Sequence, residues 1–283
     1  MNRSLLLVAI ALFANATESF ADGWPRPKGH GFYQLSFQTI RARQYYANDE
    51  QITDLNGSGT LLSSYTSAFY GEYGITNRLT GIAYVPFWVR NTVNEGVGEI
   101  TGEILQPGLE NTAFGDVDLG VRYNFFNKNQ WVLSGGLTLG LPTGDAENED
   151  LLYSGDGEFN QLVKMEWGYG ANRWYTSGHL GFNNRTENFS DEWRFLAEAG
   201  YWILPQRLLA QARFISVQSF NNGNPTGSGN GLFANNVEYL SPQLGLAYEF
   251  NAHWGVSVNV GGAVQGRNAL AAPAFTGGVY AKF

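Results

Sequence analysis

The chain has 283 residues, no cysteine and a formal net charge of −8. The missing cysteines exclude a disulfide-stapled scaffold and thiol chemistry, and the acidic balance argues against a nucleic-acid partner, whose phosphates require a basic face. An aromatic content of 15%, with 36 glycines against 17 lysines plus arginines, suits a chain of many strands and turns.

The first element is "MNRSLLLVAIALFANATESFADGW". A basic start at Arg3, an apolar run from Leu5 to about Phe13, and small residues at Ser19 and Ala21 form a secretory signal pattern, with cleavage expected after Ala21. The run is too short to span the hydrocarbon core of a bilayer. Residues 1–21 are therefore expected to be removed, and 22–283 to form one domain that works outside the cytoplasm. No later stretch approaches the roughly 18 uncharged apolar residues of a membrane helix.

The rest of the chain carries a period of two. In "GDVDLGVRYNFF" Val117, Leu119, Val121, Tyr123 and Phe125 alternate with Asp116, Asp118, Arg122 and Asn124, which predicts a strand with one apolar face. In "WVLSGGLTLGL" Trp131, Leu133, Leu137, Leu139 and Leu141 share a face opposite Ser134, Gly136, Thr138 and Gly140. Further on, Trp193, Phe195, Ala197, Ala199, Tyr201 and Ile203 oppose Arg194, Glu198 and Gly200, and Trp254, Val256, Val258 and Val260 oppose Ser257 and Asn259. At the C-terminus Phe275, Val279, Ala281 and Phe283 keep the pattern to the final residue.

The connections alternate in length. Short ones are expected at 75–78, 127–130, 171–173, 204–207 and 251–253, and long polar ones at 47–59, 93–114, 142–157, 184–191, 221–235 and 267–272. Such a rhythm predicts an all-β fold, a transmembrane antiparallel up-and-down barrel of about 12 strands with short periplasmic turns and longer extracellular loops. A secreted β-sandwich also alternates, but its loops lack this rhythm and its apolar face turns into a shared core. Here Tyr73, Phe125, Trp131, Tyr169, Trp174, Trp193, Phe250 and Trp254 stand near the ends of the apolar faces, as interfacial girdles do. The place expected for such a barrel is the bacterial outer membrane, among its lipid and lipopolysaccharide.

If apolar side chains face lipid, the opposite parity faces the lumen. The candidate pore-lining residues are Asp116, Asp118, Arg122, Lys164, Glu166, His179, Arg194, Glu198 and Arg213, together with Glu72, Arg90, Gln211 and Glu249. Both signs occur, so the charges either bridge across a nearly closed barrel or line a narrow water-filled path. The small residues Ser134, Gly136, Thr138, Gly140 and Gly181 leave room in one sector, whereas Trp88, Trp202, Arg194 and Arg213 fill another, which places the path to one side.

"FGDVDLGVRYNFF" (114–126), "LTLGLPTGD" (137–145) and the glycine loop "YSGDGEFN" (153–160) resemble the outer-membrane family named for the MetA pathway of phenol degradation. The resemblance extends loosely from about residue 30 to the end. It implies a barrel that passes small, often aromatic or apolar molecules, and a terminal Phe283 read by the barrel-assembly machinery. It assigns no substrate-binding residue.

Other chemistries find little footing. Asp145, Glu147, Glu149, Asp150 and Asp156 in loop 142–157 do not match the spacing of an EF-hand, and a solvated acidic loop is the expectation. Ser177 and His179 share a polar face, as a hydrolase base and nucleophile could. Their order, Ser before His, is the reverse of that in outer-membrane lipid hydrolases, and they face inward, away from lipid. No metal spacing or phosphate-cradling loop is visible, so no cofactor is expected. The sequence thus points to a channel rather than an enzyme, with an occluded structural or adhesive barrel as the alternative.

Overall fold

Alternating side chains make each segment a ribbon with one apolar face, and only lateral pairing satisfies its backbone. In the computed structural model residues 23–55, 59–97, 103–150, 152–224 and 235–283 are described. The expected leader and most of loop 221–235 lie outside them. The twelve long strands are β1 Gly31–Ala42, β2 Leu62–Gly74, β3 Leu79–Val93, β4 Val117–Lys128, β5 Trp131–Leu141 and β6 Asn160–Gly170. They continue as β7 Trp174–Arg185, β8 Glu192–Leu204, β9 Leu208–Ser219, β10 Glu238–Glu249, β11 Trp254–Gly261 and β12 Ala274–Lys282.

Each strand pairs antiparallel with the next, and β12 pairs with β1 from Phe32↔Lys282 to Ile40↔Ala274, which closes the barrel and leaves no edge. Short connections and both strand termini lie at one end, the periplasmic one by the usual arrangement. The β4–β5 turn is a two-residue one, with Asn129 and Gln130 both at positive φ (54° and 71°), the backbone that matches strand twist in a tight hairpin. The long connections carry short strands of their own. Leu109–Ala113 extends the sheet beside the upper part of β3, and Gln265–Arg267 does so beside β10.

The apolar faces predicted from the sequence lie outside. Leu35, Val163, Leu244, Val258 and Phe275 are each more than half exposed on the outer wall. Aromatic contacts ring both ends of this band. Trp131, Tyr169 and Trp174 touch in series at 4.8 and 5.4 Å on the periplasmic side, and Phe182, Trp193 and Phe220 cluster on the other. The terminal Phe283 is 56% exposed and stacks on His253 with ring centroids 5.9 Å apart. Val258 stands midway along the short β11, so Val258→Arg should destabilise the barrel by about 2–4 kcal/mol, the cost of an arginine at the bilayer midplane. Urea titration in lipid vesicles measures it, and a loss under about 1 kcal/mol would place this wall outside the hydrocarbon.

One part of the parity differs from expectation. The β2–β3 register shifts between Ser67 and Phe69, beside Pro86, so the one extra residue of β3 inverts its upper half. Below the bulge Thr80 and Tyr84 pair with inward positions of β2 or its neighbours, and above it Val89 and Asn91 do. Trp88 and Arg90 are therefore on the outer wall: Trp88 stacks on Phe37 at 6.5 Å and Arg90 pairs with Glu110 at 2.7 Å. Neither lines or fills the lumen.

Candidate functional site: the barrel interior

The interior is furnished first by the chain that precedes β1. Residues 23–30 turn up into the periplasmic end and bond to the inner wall. Ser134 Oγ donates to the Gly23 carbonyl (2.6 Å), Arg122 donates to the Trp24 carbonyl (3.3 Å), and the Arg26 amide donates to Thr80 Oγ1 (2.9 Å). Gly29 and Gly74 extend this to the rim through Gly29 N–H to Gly74 O and Gly74 N–H to His30 O. The Trp24 ring meets Tyr175 edge-on, with centroids 6.2 Å apart. It lies over Gly168, where any Cβ would overlap the indole.

Inward rings complete this end. Phe32, Tyr175, Trp202, Leu209, Ala247 and Tyr280 form a buried cluster with Trp24 and Tyr70 against it, and Phe32 and Tyr280 stand 5.5 Å apart. The sector of small residues is therefore not an open passage. Ser134 receives the N-terminal segment, and the Gly136 position is crowded by Glu166 and Lys164. Asn160 lies against Gly140 in the same way.

Above and around the rings run chains of ion pairs. Arg26 bonds Glu72 (2.6 Å), Arg122 bonds both Glu72 (3.2 Å) and Glu166, and Lys164 bonds Glu166 (3.0 Å). Tyr70 donates to the other side of Glu72 at 2.6 Å. A second group joins Arg213 to Glu198, which also accepts from Tyr175, while Gln211 donates to the Tyr175 hydroxyl (2.8 Å). Nearer the extracellular mouth Arg185 reaches Asp156, Glu158 and Glu192, and Arg194 shares Glu192 at 2.9 Å. Charges removed from water need such partners, because an unpaired one carries its full desolvation cost.

The nine candidate lining residues now have places. Asp118 and Arg122 face inward from β4, Lys164 and Glu166 from β6, His179 from β7, Arg194 and Glu198 from β8, and Arg213 from β9. Asp116 is instead just outside β4, at the mouth. Its carboxylate accepts from the amides of Gly144 and Asp156, both at 2.8 Å, and so pins loop 142–159 to the barrel. Burial raises its pKa to about 6 against the pull of those two amides, with the Asp156 carboxylate adding to the rise. Asp145 of the same loop is spent on Glu147 N–H, Asn148 and Asn111. Loop 93–114 joins this arrangement at the mouth, where Asn111 also donates to the Leu152 carbonyl.

Ser177 and His179 both face inward, and among the described residues Ser177 Oγ has no hydrogen-bond partner, so the two are not joined as a nucleophile–base pair. Sequence reasoning missed Trp24, Arg26, Phe32, Tyr70 and Tyr280. Phe32 shares its parity with Gln34, Ser36 and Gln38, which signals an inward ring, whereas nothing local to Trp24 signals that it enters the lumen. Across the periplasmic mouth from the N-terminal segment a pocket of about 380 Å³ is lined by Trp202, Arg207, Glu249, Phe250 and Lys282.

No family model and no curated protein matches the sequence. Solved structures match in fold. The COG4313 outer membrane channel from Pseudomonas putida F1 aligns over 92% of this chain and 98% of its own, at 14% identity and a TM-score of 0.67. The KdgM porin in complex with disordered oligogalacturonate aligns over 90% and 99%, at 8% identity and 0.51. The NanC porin aligns over 88% and 100%, at 10% identity and 0.50. The chain thus has the twelve-stranded barrel fold of bacterial outer-membrane channels and porins.

Proposed function

We propose that this barrel is an outer-membrane channel through which small molecules, including aromatic or apolar ones, diffuse down their own gradients, in the manner implied by its resemblance to the family named for the MetA pathway of phenol degradation. The observation that carries this reading is the makeup of the interior. A purely structural barrel could be filled by packed apolar side chains, yet this one keeps Arg194 and Arg213 inward with side chains 39% and 24% exposed. Below them the half-buried Trp24 and Tyr70, packed on the ring cluster, offer contact to apolar solutes, and a pocket opens beyond to the periplasmic rim. The lumen would select by size, charge and aromatic contact, with no bound nucleotide or metal taking part.

Single-channel recording of the refolded chain in a planar bilayer tests the reading. Discrete steps are expected, and the double variant Arg194→Ala/Arg213→Ala should enlarge them by removing two side chains from the path. A folded barrel that stays silent, both intact and with residues 24–27 deleted, would overturn the channel in favour of an occluded structural one.

A further inference from the structure

The inward ion pairs are one-sided. Glu166, Glu192 and Glu198 lie against the wall with side chains 0%, 3% and 3% exposed, while their partners Lys164, Arg194 and Arg213 are 13%, 39% and 24% exposed. Each carboxylate is held back by a second group: Arg122 for Glu166, Arg185 for Glu192 and the Tyr175 hydroxyl for Glu198. The longer cationic side chains reach past them into the lumen.

The register gathers these cations on one wall. Lys164, Gly181 and Arg194 are paired neighbours across β6, β7 and β8, so no side chain stands between the two cations in that row. Arg213 pairs in register with Glu198, two inward positions below Arg194. It is joined through Glu198 to Tyr175, a member of the ring cluster. Carboxylates stand on the mouth side of this wall: Asp118, two inward positions nearer the mouth than Lys164 and level with Asn160, and Asp156, Glu158 and Glu192 around Arg185. A solute that has passed these acids meets the projecting side chains of Lys164, Arg194 and Arg213, whose own carboxylate partners lie back against the wall.

We infer that the lumen selects small organic anions, carboxylates borne on an aromatic or apolar body, with Lys164, Arg194 and Arg213 receiving the carboxylate and the half-buried Trp24 and Tyr70 receiving the body. A cationic wall in a low-dielectric tube concentrates anions and repels cations. The inference rests on the channel reading, and its test separates the two.

The reversal potential under a potassium chloride gradient reads ion preference directly, and benzoate, benzyl alcohol and benzylammonium serve as probes of flux into proteoliposomes. For the full chain an anion preference of about threefold or more is expected, with benzoate entering ahead of benzylammonium. Lys164→Gln/Arg194→Glu should bring the ratio to one or below, and Arg194→Gln alone should lower it partway. Heat-modifiable migration on gels confirms that each variant is folded. Discrete steps with no anion preference in the full chain, or a preference unchanged in the variants, would overturn this inference and leave the channel standing. Silence in both the intact and the 24–27-deleted barrel would overturn both.

Discussion

Deleting residues 24–27 should raise single-channel conductance about threefold or more, because the segment fills the periplasmic end of a tube whose throughput is set by its narrowest section. Four anchors are lost together: the Trp24 ring over Gly168, its carbonyl on Arg122, the Arg26 amide on Thr80, and the Arg26–Glu72 pair. None belongs to the barrel's own hydrogen-bond ladder, so the barrel should still fold. Glu72 keeps Arg122 and Tyr70. A second variant reaches the same state without shortening the chain. Gly168→Leu places a side chain where the indole lies, and should expel Trp24 and reproduce the larger steps. Equal conductance in the full chain, the deletion and Gly168→Leu would show that current bypasses this segment, with the pocket beside Arg207 and Lys282 as the route.

Arg122→Met should be among the most destabilising single changes in the barrel, at about 3–5 kcal/mol, the range for removing one partner of a buried ion network. Arg122 is 1% exposed and bridges two carboxylates, Glu72 and Glu166, that are themselves buried. Without it Glu72 keeps Arg26 and Tyr70, whereas Glu166 keeps Lys164 on one oxygen and loses the Arg122 donor on the other. Adding Glu166→Gln should recover part of the loss, since a neutral amide costs less to bury than a carboxylate. Urea unfolding in vesicles, followed by tryptophan fluorescence, gives both numbers. A loss under about 1 kcal/mol for Arg122→Met would mean that water reaches this site and screens it.

Much of this interior follows from parity. The alternation through Val117 to Phe125 and Trp131 to Leu141 names the outer wall, and its complement names Arg122, Lys164, Glu166, Arg194, Glu198 and Arg213 as inward. Parity fails where a strand gains a residue. At the β3 bulge Trp88 and Arg90 cross to the outer wall, since a one-residue shift reverses every side chain beyond it and Pro86 alone does not announce one.

Period-two patterning, the long and short rhythm of connections and the terminal aromatic are local properties, and each residue's choice between lipid and lumen is made by its own strand. The barrel, its sidedness and the chemistry of its inner wall are therefore readable from residue order alone. Which carboxylate each cation takes, that Gly168 makes room for Trp24, and that Ser134 holds Gly23, are settled only once the chain is folded. Those contacts join residues far apart in the chain, 46 positions for Arg26–Glu72 and 111 for Gly23–Ser134, and come into being only when closure sets the strands in a ring.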